Sequence, residues 1–528
     1  MPKVFTNVLK KHKLIVLSLV LFLIFFPLVN SIDYVQNDEY THYRLIENFL
    51  KGNFKLDPYI GATFYLQGVM GMIFAKVFGI SKLPVLTLII SVFSFYIFMK
   101  ILNKFFKRSV LDSILLGLLL FLNPLYLYST VGFMTENYFV FFLLLSIYFI
   151  FEYDRSGKIR GFVFANLFIT ASYLVRQFAF VTSIAYAVYL LASKKYKLGS
   201  IQLGLFILLL VFHYKVFPIT PQMYEGGVNV GSLLNFERTF PLVYVFLIYV
   251  VMFLLPMVIL SFVKEKKLGL IILIFSIPIF VFVAKKFEPG KITFASRIRG
   301  EQILNFASAE FPYLGNVFGK KGFMEKDVIG NKYAYPGYFD LFKLWNLSAC
   351  FFAVGLVIVS VRNIKKFNRF SLIYAVFFIG LLIVAPRVYD RYLLPLILVT
   401  VILLSSALGN FDKLDRIIIS GFVLFLFVLG YEFLMDFYTL NRYVWERSGK
   451  ISREWGVPKE SINPTHAWRM LFPKENGNNR WDYLFKYDPI EIRPNDKCCF
   501  KVIEVKTLGF PLSFYKESKV YLYERNIW

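Results

Sequence analysis

Apolar runs of roughly 17 to 25 residues recur along the chain from Leu14 to Leu434, each long enough as a helix to cross a hydrocarbon core of about 30 Å. Short clusters of lysine and arginine separate some of these runs, and segments bearing acids, glycines and aromatic residues separate the others. This alternation predicts thirteen spans, near 14–30, 83–102, 110–128, 138–152, 162–176, 178–193, 200–217, 240–262, 268–284, 341–361, 370–386, 393–409 and 417–434. One apolar run, Thr63 to Gly79, has no basic flank and contains Gly68, Gly71 and Gly79. Crossing there would invert every later loop, so it reads as a helix lying in the outer interface with Lys76 reaching back to water.

The basic clusters are Lys10-Lys11-Lys13, Lys104-Lys107-Arg108, Arg155-Lys158-Arg160, Lys194-Lys195-Lys197, Lys264-Lys266-Lys267, Arg362-Lys365-Lys366-Arg369 and Lys413-Arg416. Short loops rich in lysine and arginine stay in the cytoplasm. The N-terminus is therefore expected inside, and the segments 31–82, around Glu136, around Glu225, 285–340 and 387–391 outside. The first run, Leu14 to Val29, resembles a secretory signal, but no small-residue cleavage pattern follows at Asn30-Ser31-Ile32, so it reads as a retained span.

Past Leu434 the chain becomes rich in tyrosine, tryptophan, proline and mixed charge. The expected organisation is a membrane domain over 1–434 and a small external α+β domain over 435–528. Alternating residues predict two strands near the end, Cys499 to Val505 and Lys519 to Glu524.

Composition agrees with a polytopic membrane protein. Of 528 residues, 57% are hydrophobic and 18% charged, with a mean hydropathy of +0.59, well above the apolar content of soluble domains. The formal charge of +25 is spread between the spans rather than gathered on one face, which argues for topology and against nucleic acid. Three cysteines, two of them the adjacent Cys498 and Cys499, cannot form a disulfide framework.

In so apolar a chain, acids at the membrane edge are where chemistry is expected. Asp38 and Glu39 follow the first span and open a helix whose apolar face is Leu45, Ile46, Phe49 and Leu50, with His42 among its polar residues. A capping role at that helix start is the competing reading for Asp38. Glu136 lies at the same depth in a very short external connection with no lysine or arginine near in sequence, so it should face a polar cavity or another charge. Arg387 and Arg391, with Tyr392, join two late spans on the same side, and Arg176 falls near an outer span end. Arginine forks match phosphate oxygens, the alternative being interfacial anchors salt-bridged to Asp390.

Acids and arginines at one surface suit a substrate with its tail in the bilayer and its phosphate at headgroup level. A carboxylate would take the proton of an acceptor hydroxyl while arginines hold the departing phosphate. The order of a first span, Asp38-Glu39 on a helix, an interfacial helix ending at Phe78-Gly79, a second span, the Thr135-Glu136-Asn137 connection and a late Arg391-Tyr392-Leu393-Leu394-Pro395 run resembles the GT-C superfamily of membrane glycosyltransferases. The protein O-mannosyltransferase and aminoarabinose transferase branches are the nearest in pattern. The resemblance covers about the first 180 residues and the 387–395 region. It implies that Asp38-Glu39 stand where the family keeps its essential acid and Glu136 where it often keeps a second. It departs from relatives at Lys55-Leu56-Asp57-Pro58-Tyr59, where they show a basic residue and paired prolines.

The expectation is thus an all-α polytopic membrane glycosyltransferase that moves a sugar from a polyprenyl-phosphate donor to a protein, lipid or glycan acceptor on the extracytoplasmic face. Asp38, Glu39 and Glu136 would be catalytic, and His42, Arg176, Arg387, Arg391 and Tyr392 would bind substrate. No cofactor is expected: the four histidines are scattered, and Asp38-Glu39 alone offer too few hard ligands for a dedicated cation, a divalent ion shared with phosphate being the one form left open. A transporter or flippase of lipid-linked sugars is the rival, although such proteins place ionisable groups near the midplane and often show repeated halves.

Overall fold

A computed structural model of the chain describes residues 13–36, 39–57, 60, 62–216, 230–263, 269–286, 297–298, 301–302, 313–314, 317–319, 322–323, 339–385, 388–473, 482–487, 500–508 and 518–525. The first half runs through α1 (Lys13–Asn30), α2 (Glu39–Leu50), α3 (Tyr65–Phe78), α4 (Leu83–Phe106), α5 (Val110–Phe121), α6 (Pro124–Thr130), α7 (Thr135–Ser156), α8 (Ile159–Tyr173), α9 (Ala179–Ala192) and α10 (Tyr196–Val216). It continues with α11 (Phe236–Val263), α12 (Gly269–Lys286), α13 (Phe339–Arg362), α14 (Arg369–Val384), α15 (Leu394–Ala407), α16 (Lys413–Glu454) and α17 (His466–Leu471).

Each of the thirteen expected spans coincides with helix. Among the described residues, eight helices are long and apolar enough to cross a membrane, and α5 with α6 would make a ninth. That expected continuous span, 110–128, is in fact broken by 73°. The cause is local: Pro124 cannot continue a helix from Asn123, and the Asn123 side chain accepts the Leu125 N–H at 2.9 Å to start a new one. The remaining four, α8, α9, α12 and α14, have 14 to 18 residues. The helix expected to lie in the interface, α3, has 14 residues, about 21 Å of helix, the same length as α9.

Neighbouring helices pack in sequence-adjacent pairs, α7 on α8 and α9 on α10, while α1 on α4 and α11 on α13 close the bundle over longer separations. The α11–α13 contact has a specific lock. Pro256 in α11 lacks an N–H, so the Met252 carbonyl one turn earlier has no helical donor. The Trp345 indole supplies it at 2.9 Å, and α11 is kinked nearby, at Leu254 (φ −118°). The chain between α12 and α13 also contributes to the core. Tyr313, Leu314, Val317 and Phe318 are buried, held by Tyr249, whose Oη accepts the Leu314 N–H at 2.9 Å, and by Asp390, which accepts the N–H groups of Val317 at 3.2 Å and Phe318 at 2.5 Å.

Short strand pairs occur in that stretch, β1 (Arg297–Ile298) with β2 (Glu301–Gln302) and β3 (Phe318–Gly319) with β4 (Gly322–Phe323). The C-terminal sheet is formed by β5 (Ile462–Asn463), β6 (Tyr483–Tyr487), β7 (Phe500–Leu508) and β8 (Ser518–Arg525) in the order β5-β6-β8-β7. Both strands expected from alternation, β7 and β8, pair antiparallel, with a bulge between Val502 and Glu504. The sheet rests on α16, which continues through the expected 434/435 domain boundary. Tyr443 Oη and the Arg447 guanidinium both bond the Glu504 carboxylate, at 2.8 and 2.7 Å. Helix α17 reaches back to α2, where the His466 and Tyr40 rings meet edge to face at 5.7 Å.

Candidate active site

Three short connections converge at one end of the bundle: 131–134 before α7, 174–178 between α8 and α9, and 388–393 before α15. The first loop is fastened to two of them. Helix α2 buries Glu39, His42, Leu45, Ile46 and Phe49 on one face, as the spacing of its apolar residues dictates. Glu39 accepts the N–H of Gln36 at 2.9 Å and also that of Phe133. This approach depends on Gly132, because a Cβ there would collide with the side-chain oxygens of Glu39 and Gln36. His42 Nδ1 lies 2.8 Å from the Phe133 carbonyl oxygen, and its ring stacks on Phe64 at 4.9 Å.

The chain entering α3 is fixed to the second connection. Thr63 donates its hydroxyl to the Tyr173 carbonyl, and the N–H groups of Phe64 and Leu66 donate to Val175 and Leu174 at 3.1 and 3.0 Å. These bonds hold Phe64 at φ +55°, a left-handed conformation that is costly for a bulky residue. Helix α3 can lie close to α2 because Gly68 and Gly71 face Phe49 and Ile46, with no room for a Cβ.

At the meeting point Glu136, in the first turn of α7, is shared by two arginines. Arg176 Nη1 is 2.5 Å and Arg391 Nε 3.2 Å from the same oxygen, Oε1. All three side chains are more than nine-tenths buried. Arg176 also donates to Thr135 Oγ1 at 3.1 Å and lies over the Tyr392 ring at 4.6 Å and the Phe178 ring at 4.9 Å. Desolvating charges this thoroughly is tolerable only with such pairing. Two guanidinium groups on one carboxylate leave these three side chains with one excess positive charge, supported by aromatic faces that favour cations. The next residue, Asn137, anchors the helix start, donating to Ser91 Oγ at 2.7 Å and Thr130 Oγ1 at 3.0 Å.

Of the residues singled out in the sequence, Glu136, Arg176, Arg391 and Tyr392 thus form one cluster. Glu39 and His42 attach to Phe133, three residues before Glu136. Asp38 and Arg387 lie outside the described residues. Asp390, the alternative partner for these arginines, accepts the backbone N–H groups of Val317, Phe318 and Arg391.

Sequence reasoning passed over several buried polar groups. Among the described residues, the side-chain amide of Gln36, Gln67 Oε1 and Tyr34 Oη have no hydrogen-bond partner, and all three side chains are at most 2% exposed. Gln67 Nε2 lies 3.4 Å from the Phe133 carbonyl that also meets His42. Burial, with the Glu39 charge next in importance, pushes the Tyr34 phenol well above its usual value, so it stays protonated. Glu432, a buried carboxylate near the middle of α16, also went unmarked, although an acid inside an apolar run is a signal in itself. Among the described residues no group of three or more His, Cys, Asp or Glu side chains is placed to hold a metal ion.

No family model matches the sequence, and no curated protein matches it. Among solved structures, the chain is similar to the crystal structure of ArnT from Cupriavidus metallidurans bound to undecaprenyl phosphate, at 10% identity and a TM-score of 0.48, over 96% of this chain and 97% of that one.

Proposed function

We propose that the chain is an integral-membrane glycosyltransferase that takes a sugar from a polyprenyl-phosphate donor and passes it to a hydroxyl-type acceptor on the extracytoplasmic face. The observation that carries this reading is the joining of the first-loop acid Glu39 to a cationic cluster. Glu39 is bonded to Phe133, and three residues on, Glu136 is held between Arg176 and Arg391. A phosphate needs excess positive charge with forked donors, and the acceptor hydroxyl needs a carboxylate nearby.

In the proposed reaction the acceptor oxygen attacks the anomeric carbon and its proton passes to Asp38. The bond from that carbon to the phosphate oxygen breaks, and polyprenyl phosphate leaves with both electrons. Negative charge grows on the phosphate as the bond breaks, where Arg176 and Arg391 stabilise it. Phosphate is a weak base, so no acid is required to protonate the leaving group, in contrast to glycoside hydrolysis. The buried amides of Gln36 and Gln67 and the Tyr34 phenol support a polar substrate at this place, because unpartnered buried polar groups are costly.

The test is transfer of labelled sugar from a polyprenyl-phosphate donor in membranes containing the Asp38→Asn variant. Loss of transfer to background with unchanged expression is expected. Full activity would remove Asp38 from the mechanism, and leaflet-to-leaflet movement of the lipid without a new glycosidic bond would favour a transporter.

A further inference from the structure

We infer that an anionic phospholipid binds in the seam between α4 and α7, at the end of the bundle opposite Glu136, with its phosphate at Lys100 and Lys104. The site is independent of sugar transfer. Helix α7 runs about 24 Å from Glu136 to Glu152, which pairs with Lys104 of α4 at 2.5 Å. Lys104 also donates to the Tyr148 hydroxyl at 2.9 Å and lies over that ring at 4.9 Å. One turn deeper in α4, the Lys100 ammonium lies 5.3 Å from the Tyr148 ring centre and 5.7 Å from that of Tyr96. Among the described residues it has no carboxylate partner.

Three cations meet one acid here. Arg155 Nη1 lies 3.5 Å from the Lys104 carbonyl oxygen, so Lys100, Lys104 and Arg155 stand against Glu152 alone. The neighbouring acids are engaged elsewhere: Asp154 accepts from Tyr189 at 2.5 Å and pairs with Lys195 at 3.4 Å, and Asp112 pairs with Arg416 at 2.8 Å. Two positive charges are left uncompensated at the seam.

Lys100 falls inside the apolar span Ile80–Phe106, where an ammonium without a counter-charge is costly. The tyrosine faces offset part of that cost, and a lipid phosphate supplies the remaining counter-charge. Phe93, Tyr96, Lys100 and Lys104 follow one another at helical spacing on one face of α4, with Tyr148 reaching that face from α7. Phe93 is 54% exposed, and the other four are half-buried. From Lys104 to Phe93 the helix rises about 16 Å, close to the roughly 15 Å of hydrocarbon in one leaflet. A phosphate seated between the two lysines therefore has its acyl chain along Tyr96 and Phe93. The surplus positive charge selects a headgroup that is negative over one that is zwitterionic, as lysine and arginine at the membrane surface do.

Native mass spectrometry of the full-length protein, delipidated in mild detergent and titrated with phosphatidylglycerol or phosphatidylcholine of equal chain length, tests this. Phosphatidylglycerol should bind at least about five-fold more tightly. Lys100→Gln should remove about five-fold of that affinity, the effect of one cation near the membrane surface, without changing phosphatidylcholine binding or circular dichroism, and Lys100→Arg should retain it. Lys413→Gln removes an exposed lysine between Asp412 and Asp415 on α16, so it carries the same loss of net charge away from the seam and should leave the affinity unchanged. Equal binding of the two lipids, an unaltered affinity in Lys100→Gln, or an equal loss in Lys413→Gln would overturn the proposal. So would occupation by polyprenyl phosphate in preference to phosphatidylglycerol.

Discussion

The Glu39 carboxylate accepts the backbone N–H of Phe133, and this bond couples the loop after α1 to α7, whose first turn holds Glu136. The two segments are 94 residues apart in the chain. Their contact means that anything displacing the acidic helix is transmitted to the residue shared by Arg176 and Arg391.

Gly132→Ala should expose this coupling. The added methyl meets the Glu39 and Gln36 side-chain oxygens, and overpacking of this kind costs about 1–3 kcal/mol. The variant is expected to insert and fold but to lose transfer activity, with faster proteolysis of the first loop as the structural readout.

Glu136 and Arg391 should separate stability from binding. Glu136→Gln removes the charge shared by two buried arginines and is expected to cost about 3–5 kcal/mol, seen as a lower Tm and poor yield. Arg391→Gln leaves Glu136 with Arg176 and should fold. Losing one charged donor to phosphate costs about 1.5–3 kcal/mol, so its KM for the donor should rise about ten- to a hundred-fold.

Asp390→Ala should release the buried residues between α12 and α13. Three backbone N–H groups lose their acceptor at once, at about 1–3 kcal/mol for each one left buried. Increased protease cleavage near Phe318, with the remaining helices intact, is the expected outcome.

Val444→Pro should disconnect the sheet from the membrane domain. Val444 is buried within α16, where a proline would remove the N–H that bonds the carbonyl of Leu440 one turn earlier and clash with it, at about 3 kcal/mol or more. Engineered crosslinks between Tyr40 and His466, which touch in the structure, should form less efficiently in this variant.

The spans and the membership of the cationic cluster were legible because lipid imposes long apolar runs, and because a buried charge must find a partner. Glu136 had no nearby cation in sequence, and Arg176, Arg387 and Arg391 were the cations expected at its depth, of which Arg176 and Arg391 meet it and Arg387 lies outside the described residues. The break at Asn123-Pro124 was readable too, since that dipeptide is a turn signal, but apolar residues on both sides masked it. Burial of Tyr313, Leu314, Val317 and Phe318 was not readable. It depends on Asp390, more than 70 residues later in the chain, recognising backbone rather than side chains. Nor was the length of α16, because hydropathy marks where lipid ends and says nothing of where a helix ends.

That helix has 42 residues, about 63 Å at 1.5 Å per residue, and only its apolar part is matched to the bilayer. From Met435 to Glu454 it projects about 30 Å further as a single rod. The rod acts as a mast of fixed height: through the Tyr443 and Arg447 contacts to Glu504 it holds the C-terminal sheet at a set distance from the apolar part of the same helix, beside the acidic helix that Tyr40 and His466 tie to it.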